Sequence, residues 1–304
     1  MHLRDIFFKQ LYAEFKNGNK KKFIIVTNDF GSPFLDEVKK NFPQYYLNAG
    51  ICEQNIVTLS AGLAKQGFYP IIYSISSFIL YRSFEQIKLD LSVHRIKCCL
   101  LTVGAGYSYD VDGPTHHTTE DLAVMYNIPN MQIFSPFNAE STAENFKLMK
   151  KSKCITWMRL DRGSFDKKFD TRNISGVNYF KLQKNKNLII STGTTSYLFM
   201  DEIMRNKAKA SVLNLNFLKP LNIDNLHKII KNYENILIVE EHSESLGLYS
   251  IILGNLDLNI IKKSKFYKFA IKQKNLFAYG KRDDLRKINS IDTKSIIKFL
   301  EKKC

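Results

Sequence analysis

Glu53 is the first residue of this sequence whose position suggests acid–base chemistry. It lies in the segment NAGICEQN at positions 48–55, directly before an apolar pattern that is typical of a buried helix. Because Gly50 interrupts the preceding strand pattern and Asn48 can cap a helix, we expect Glu53 in the first helical turn. The simplest interpretation is a carboxylate that satisfies the helix dipole. A catalytic carboxylate is the alternative, and it depends on the segments that follow.

A second segment, DGPTHH at positions 112–117, combines a carboxylate with two adjacent imidazoles. It lies in a long polar loop that is punctuated by Gly and Pro. Asp112, His116 and His117 can bind a ligand there, but a surface turn with two solvated histidines has the same composition. Upstream, Gly104-Ala105-Gly106 lacks the further glycines, or the Gly-Lys-Ser, of a true phosphate-binding loop.

A third segment, SSFILYRSFEQ at positions 76–86, carries three aromatic residues at a spacing of three. At that spacing Phe78, Tyr81 and Phe84 share one face of a helix. Such a stripe is commonly part of a hydrophobic core. It would also form a stacking surface for a flat heteroaromatic ring, which is the alternative.

Continuous apolar runs indicate the strands that must position these residues. FIIVT at positions 23–27 is typical of a buried parallel strand, and similar runs occupy positions 69–74 and 97–103. Asp29 follows the first run at its carboxyl end, the edge at which ligands bind in open α/β sheets. It is therefore either a turn residue or a neighbour of the ligand. The alternation of strands and helices predicts an α/β fold with mostly parallel sheets.

The chain has 304 residues, 44% of them hydrophobic, which is enough for two domains with separate cores. We predict a first domain over residues 1–165, a polar linker over 166–186 and a second α/β domain over 187–304. A strand of the second domain ends in Glu240-Glu241-His242. Adjacent residues on a strand rarely face one way, so we interpret these as structural or interface groups and predict no metal site in this chain.

The net charge of +16 raises the question of nucleic-acid binding. The lysines are spread along the whole length without a nucleic-acid motif, and anionic substrates or an acidic partner fit the charge as well. Five cysteines, an odd number without metal spacing, indicate free thiols in a reducing compartment. With neither a signal peptide nor an apolar run that could span a bilayer, we expect a cytoplasmic protein that binds neither nucleic acid nor membrane.

Taken in order, the segments at 48–55, 76–86 and 112–117, followed by IPNM at 128–131, resemble the pyrimidine-binding half of a transketolase. The resemblance continues through the end of the chain and so covers essentially all of it. Each motif by itself is weak, but four in register followed by a matching terminal domain are specific. The resemblance implies two α/β domains: a pyrimidine-binding domain for thiamine diphosphate and a transketolase C-terminal domain.

The resemblance assigns five residues to the cofactor. Glu53 bonds the aminopyrimidine ring of thiamine diphosphate and shares a proton with it, Phe78 and Tyr81 lie against this ring, Phe84 lies beside them, and Asp29 is near the cofactor. Transketolases usually carry Phe where this chain has Tyr81, so the additional hydroxyl requires a hydrogen-bond partner.

It also assigns a substrate site for sugars or sugar phosphates. His116 faces the reacting carbon and donates hydrogen bonds to substrate oxygens, Asp112 binds a sugar hydroxyl, His117 is a neighbour, and Arg162 binds phosphate, for which guanidinium is well suited. One position departs from the pattern, because Gly104 stands where a donor-binding His is usual. The identity of the sugar substrates is therefore left open.

The family binds the diphosphate and Mg²⁺ through a Gly-Asp-Gly segment followed by Asn, and this sequence does not contain that motif. We therefore expect a split transketolase, in which this chain is the C-terminal subunit and a companion N-terminal subunit supplies the diphosphate and Mg²⁺ ligands. The expected reaction transfers a two-carbon ketol unit from a ketose to an aldose. Twofold symmetry in the family implies self-association and a heterotetramer.

Three alternatives remain at this point. A β subunit of a 2-oxo acid dehydrogenase has similar domains, although the segment at 112–117 argues against it. An enzyme similar to 1-deoxyxylulose-5-phosphate synthase is the second alternative. The third is a non-catalytic stabilising subunit, which the retained Glu53 and aromatic residues disfavour but Gly104 leaves open.

Overall fold

The structure is a computed structural model that describes residues 1–174, 176–182, 185–206 and 208–303. Its strands are β1 Phe23–Thr27, β2 Tyr46–Asn48, β3 Tyr69–Ile75, β4 Cys99–Val103, β5 Met131–Phe134, β6 Ile155–Leu160, β7 Arg172–Ile174, β8 Val177–Phe180, β9 Asn187–Ser191, β10 Ser211–Leu215, β11 Phe217–Lys219, β12 Asn235–Ser243 and β13 Lys265–Ile271.

The α-helices are α1 Leu3–Lys16, α2 Pro33–Asn41, α3 Glu53–Lys65, α4 Ser76–Arg82, α5 Phe84–Gln86, α6 Asp121–Met125, α7 Ala139–Lys151, α8 Thr194–Asn206, α9 Ile223–Ile230, α10 Leu248–Leu253, α11 Leu258–Lys263, α12 Arg282–Ile288 and α13 Thr293–Lys303. A π-helical segment follows α5 at Ile87–Val93, and 3-10 turns occupy Pro43–Tyr45, Asp110–Asp112 and Gln273–Asn275.

The first sheet has seven strands in the order β11-β5-β6-β4-β3-β1-β2. All its pairings are parallel except that of β11. β1, β4 and β6 are buried along their full length, because helices cover both faces and leave no side for polar residues. As parallel strands end at one edge, the loops after β1, β3 and β4 converge there.

The helices of the first domain pack on the two faces of this sheet. One face is covered by α1, α2 and α7, whose Phe7, Leu35 and Phe146 lie in one apolar cluster. The other is covered by α3 and α4, which contribute Ile56 and Ile79 to a second cluster. α3 and α4 therefore begin at the carboxyl edge of the sheet with their apolar faces buried and their first turns near the converging loops.

The second sheet has six strands in the order β13-β12-β9-β10-β8-β7. The pairings among β13, β12, β9 and β10 are parallel, and those of β8 and β7 are antiparallel. Two α/β domains with mostly parallel sheets confirm the predicted fold class.

The range 166–186, predicted as a linker, contains regular structure. Arg172–Ile174 and Val177–Phe180 form a hairpin at the edge of the second sheet. Val177 and Tyr179 turn toward the core and are buried, but three or four residues give too short an alternation to stand out in a polar sequence. The second sheet thus begins before residue 187.

The two domains are joined by more than the chain between them. β11 follows β10 of the second domain but pairs antiparallel with β5 of the first sheet. Phe217 of β11 stacks on Phe134 of β5, with ring centroids 4.7 Å apart. One apolar cluster also runs from α3 in the first domain to α10 in the second.

Buried ion pairs reinforce this junction. Arg282 of α12 donates two hydrogen bonds to Asp161 of the first domain, at 2.8 and 2.7 Å, and three to Glu241 of β12, the shortest at 2.8 Å. Arg286 also bonds Glu241. Burial by itself would raise the pKa of Glu241, but the two guanidinium groups lower it to about 2.

Glu240, Glu241 and His242 have different partners, as their alternation along β12 requires. The Glu240 carboxylate accepts hydrogen bonds from the backbone N–H groups of Leu248, at 2.5 Å, and Tyr249, at 3.1 Å. The His242 Nε2 atom lies 3.9 Å from the carboxylate of Asp121.

Two further features concern the whole chain. Helices long and apolar enough to cross a membrane are absent from the described residues. Cys52, Cys98, Cys99 and Cys154 are free thiols, and Cys304 lies outside the described residues.

We expect Arg282→Met to lower the free energy of unfolding by about 3–5 kcal/mol, because it leaves the buried Asp161 without a cation and Glu241 with Arg286 alone. Urea unfolding monitored by circular dichroism measures this. Lys287→Met removes an exposed cation from the same helix and should leave stability nearly unchanged. Glu241 contributes stability above its ordinary pKa of 4.5, and this contribution is lost as the pH falls toward 2. The difference between wild type and Arg282→Met should narrow over that interval, and a constant difference would contradict this origin.

Candidate active site

Glu53 occupies the first position of α3, as predicted, and its side chain is 6% exposed. Its Oε1 accepts hydrogen bonds from Asn28 Nδ2 at 3.1 Å and from Arg82 Nη1 at 2.9 Å. A carboxylate that merely satisfied the dipole would reach solvent, whereas this one is buried beside a polar side chain and a cation.

The predicted cap of α3 is wrong. Cys52 is the N-cap residue, and Asn48 lies in β2. The Asn48 Oδ1 atom accepts from the backbone N–H groups of Gly50 and Asp29, both at 3.0 Å. Asn48 therefore stabilises the turn before the helix.

Asp29 lies at the carboxyl end of β1, at the edge where the sequence predicts a ligand. Its backbone φ of 65° is in the left-handed region, which Asp tolerates better than most residues. Its exposed carboxylate accepts a hydrogen bond from Asn48 Nδ2 at 3.0 Å. These bonds support the turn role, and the place of Asp29 near the cofactor stays a prediction.

Asn28, the residue before Asp29, was not singled out in the sequence. It is buried, and its Oδ1 atom has no hydrogen-bond partner within the described part of the chain. A buried acceptor without a partner is costly unless a ligand or water supplies a donor. Asn28 therefore presents an unused acceptor next to the Glu53 carboxylate.

Arg82 was also missed, although it lies four residues after Phe78 and so on the same face of α4. Its guanidinium lies 4.6 Å from the centroid of the Phe78 ring while it bonds Glu53. The side chain is 53% exposed and can turn toward solvent, but the buried Glu53 carboxylate would then need another donor.

The aromatic residues at 78, 81 and 84 do not form one uniform stripe. Phe78 is half-buried and makes an edge-to-face contact with His116, with ring centroids 4.9 Å apart. Tyr81 is 37% exposed. Phe84 lies beyond the break at Ser83 and packs against the apolar core that includes Ile56. Phe78 and Tyr81 thus present aromatic surface, whereas Phe84 supports the core, and its place beside the cofactor stays a prediction.

The two adjacent histidines have different environments. Thr115 Oγ1 lies 2.9 Å from Nδ1 of half-buried His116, which leaves Nε2 without a hydrogen bond among the described residues. His117 is buried against Tyr107, with ring centroids 5.0 Å apart, and its Nε2 lies 2.9 Å from the carbonyl oxygen of Asp110. Only His116 therefore joins Phe78 at the site, while His117 faces the protein interior.

Asp112 and Arg162 are both exposed. Asp112 lies on the 3-10 turn before the histidines. The Arg162 guanidinium lies 5.0 Å from the centroid of Tyr109, and that ring in turn lies 5.8 Å from His116. Two of the predicted substrate residues, Arg162 and His116, are thus linked through Tyr109, which sequence analysis did not single out.

Arg4 of α1 is a further cation whose charge acts on Tyr109. Burial raises the pKa of Tyr109, and the nearby charges of Arg4 and Arg162 counteract that rise. The Arg4 Nε atom is buried without a hydrogen-bond partner among the described residues. The charge of Asp112 acts on the same tyrosine in the opposite direction, so both signs of charge surround Tyr109.

Gly104 is required by the position of Tyr109. Its φ is +116°, and a Cβ atom added there would lie 2.7 Å from Cε2 of the Tyr109 ring. A histidine at this position would collide with that ring and strain the backbone. Tyr109 therefore fills space that the usual donor-binding His of transketolases would need.

We expect Gly104→Ala to lower the free energy of unfolding by about 1–3 kcal/mol, because of the positive φ and the contact with Tyr109. Thermal unfolding by calorimetry measures the change. Gly62→Ala is the matched control, since Gly62 lies in α3 with open space around its Cα and Ala is the better helix former. Equal effects of the two substitutions would show that position 104 has no special constraint.

Family models match both domains. The model described as "Transketolase, pyrimidine binding domain" matches residues 3–167, and the one described as "Transketolase, C-terminal domain" matches residues 180–296.

Individual proteins of known name are also similar. One subunit of the apulose-4-phosphate transketolase of Phocaeicola vulgatus is 29% identical over 83% of this chain and 83% of its own length. The 1-deoxy-D-xylulose-5-phosphate synthase of Oleidesulfovibrio alaskensis is 28% identical over 86% of this chain but 42% of its own length.

Among solved structures, one described as "Split gene transketolase, inactive beta4 tetramer" aligns with a TM-score of 0.84 at 23% identity. The alignment covers 99% of this chain and 98% of that chain, so the two share the complete fold. With the two family models matched in order along its length, this chain belongs to the transketolase family and consists of its pyrimidine-binding and C-terminal domains.

Proposed function

We propose that this chain is one subunit of a thiamine-diphosphate-dependent transketolase, which transfers a two-carbon ketol unit from a ketose to an aldose together with a companion subunit. The observation that carries the proposal is the buried Glu53 carboxylate at the start of α3, which Arg82 links to the aromatic face of Phe78. Carboxylate and aromatic face are the two features that an aminopyrimidine ring requires.

The residues present fit this ring. Glu53 supplies a buried carboxylate, Asn28 supplies an acceptor that lacks a partner among the described residues, and Phe78 supplies a face for stacking. Arg82 lies over that face, and its exposed side chain would have to move aside. Asp29 and Phe84 would complete the surroundings from β1 and from the core below α4.

Thiamine diphosphate, when bound, supplies a carbon nucleophile for the ketose carbonyl. In our proposal Glu53 holds a proton at its carboxylate toward the ring, a role for which a buried and hydrogen-bonded carboxyl group is suited. His116 Nε2, which makes no hydrogen bond to the described residues, donates to the developing negative charge on the substrate oxygen. Asp112 binds a sugar hydroxyl at the exposed edge of the site.

The cations near Tyr109 favour a phosphorylated sugar. The charges of Arg4 and Arg162 both act on this tyrosine, and guanidinium groups bind phosphate through paired hydrogen bonds. We infer that they hold the phosphate end of the substrate, with His116 nearer to the reacting carbon.

We infer that the diphosphate and Mg²⁺ bind to a companion subunit, so that the cofactor site lies between the two. A relative that is named as one subunit of a transketolase supports this inference, as does a similar fold described as a split-gene transketolase. Copies of the present chain would also associate with one another around a twofold axis, to give two copies of each subunit.

A second candidate is a synthase of the 1-deoxy-D-xylulose-5-phosphate type. The similarity to that synthase from Oleidesulfovibrio alaskensis favours it, since it covers 86% of this chain. Glu53 would have the same role in both reactions. Assays with ketose phosphate plus aldose, and with pyruvate plus glyceraldehyde phosphate, distinguish the two candidates.

We expect Glu53→Gln to fold and assemble normally while turnover of the two-subunit complex falls by about a hundredfold or more, because the amide cannot hold the acidic proton. Steady-state kinetics with a ketose phosphate and an aldose measure this, and circular dichroism confirms the fold. Glu37→Gln, an exposed helical glutamate on α2, is the control. Wild-type activity of Glu53→Gln would reduce Glu53 to a helix-start carboxylate.

We expect the isolated chain to self-associate, to bind thiamine diphosphate weakly and to lack turnover, because the diphosphate site is then incomplete. Light scattering after size exclusion gives the oligomeric state, and calorimetric titration with thiamine diphosphate and Mg²⁺ gives the affinity. Tight binding with turnover by the chain alone would refute the companion subunit. A strictly monomeric chain would refute the twofold assembly.

A further inference from the structure

The hydroxyl of Tyr81 has a defined partner in this chain. It donates a hydrogen bond to Oε2 of Glu120 at 3.1 Å and accepts one from the backbone N–H of Glu120 at 3.3 Å. Two bonds to one residue fix the direction of the phenol as well as its distance. A phenylalanine at position 81 could make neither bond.

Glu120 is itself held in place. Its Oε1 accepts a hydrogen bond from Thr119 Oγ1 at 2.8 Å, which orients the carboxylate so that Oε2 faces Tyr81. The next residue, Asp121, is buried and bonds Arg159 of β6 at 2.6 and 3.3 Å. The segment 119–121 is therefore anchored on the side of the first sheet.

The second domain holds the same segment from its other side. The backbone N–H of Ser243, at the end of β12, donates to the carbonyl oxygen of Thr119 at 2.7 Å. The preceding residue, His242, lies with Nε2 at 3.9 Å from Asp121. A chain of contacts thus leads from β12 through Glu120 to the Tyr81 ring, which lies one helical turn from Phe78.

We propose that Glu120 is a positioning residue for the cofactor: it holds the Tyr81 ring in the orientation that receives the aminopyrimidine, and it does so from a segment anchored by the second domain. This inference rests on the proposed function. Tyr81 is 37% exposed and would otherwise be free to change rotamer, so the hydrogen bonds replace the packing that a buried ring would have. The second domain thereby influences a site that its own side chains need not touch.

A double-mutant cycle on the two-subunit complex tests the proposal, with calorimetric titration by thiamine diphosphate in the presence of Mg²⁺. Tyr81→Phe keeps the ring and removes the hydroxyl, whereas Glu120→Ala keeps the hydroxyl and removes its acceptor. We expect each variant to weaken binding about fivefold to tenfold, the scale of one hydrogen bond. The double variant should be no weaker than either single variant, within about twofold.

Two comparisons separate positioning from general support. Glu120→Gln retains a carbonyl oxygen as acceptor and should bind within about threefold of the unsubstituted complex. The circular-dichroism spectrum and the oligomeric state should be unchanged in all four variants, so that a loss of affinity reports the orientation of the Tyr81 ring and not a change of fold. Glu85→Ala removes an exposed carboxylate on α5, four residues after Tyr81. It should change neither the affinity for thiamine diphosphate nor the fold.

The following outcomes would contradict the positioning role of Glu120 or the proposed function. Equal weakening by Glu120→Ala in the presence and absence of the Tyr81 hydroxyl would overturn the inference, since Glu120 would then act without Tyr81. Unchanged affinity in Tyr81→Phe and Glu120→Ala would overturn it as well. Failure of the unsubstituted complex to bind thiamine diphosphate would instead overturn the proposed function, and this inference with it.

Discussion

The loop between β4 and α6 carries the predicted substrate residues Asp112, His116 and His117. This loop depends on the buried ion pairs of Arg282. Asp161 and Glu241, from different domains, are both bonded to this guanidinium. Glu241 also accepts a hydrogen bond from the backbone N–H of Tyr107 at 3.1 Å, and the backbone N–H of Arg282 donates to Asp110 at 3.0 Å. The start and the middle of the loop are thus attached to the same charges. Removing the Arg282 side chain would leave the buried Asp161 without a cation and Glu241 with Arg286 alone, and so weaken the support of the loop.

Charge pairing also explains how a carboxylate can be buried at the apolar carboxyl edge of the first sheet. Glu53 is buried but has Arg82 and Asn28 as partners, so its charge is compensated within the chain. Arg82 is the exposed member of this group, and a ligand that displaced it would have to supply another donor to the buried Glu53 carboxylate. Near Tyr109, the exposed Arg162 guanidinium lies 5.0 Å from the ring centroid and is a cation within reach of an anionic ligand.

The departures from the transketolase pattern have physical reasons in the structure. Gly104 is linked to Tyr109, because any side chain at 104 would collide with the tyrosine ring. The hydroxyl of Tyr81 is matched by Glu120. In both pairs a substitution at one position is accommodated by a residue distant in sequence, so that neither departure by itself indicates loss of the site.

The sequence by itself determined the fold class, the strands that lead to the site, and the place of Glu53 at the start of a helix. These follow from local signals: continuous apolar runs, a helix periodicity and the Gly50 break before it, although the cap residue inferred from Asn48 was wrong. Only the tertiary structure decided which neighbours complete the site. Asn28, Tyr109 and Glu120 meet Glu53, Gly104 and Tyr81 across loops, and no spacing in the chain predicts which loops converge. The same reason applies to β7, β8 and β11, which are too short for a periodicity and acquire their partners only when the sheets form.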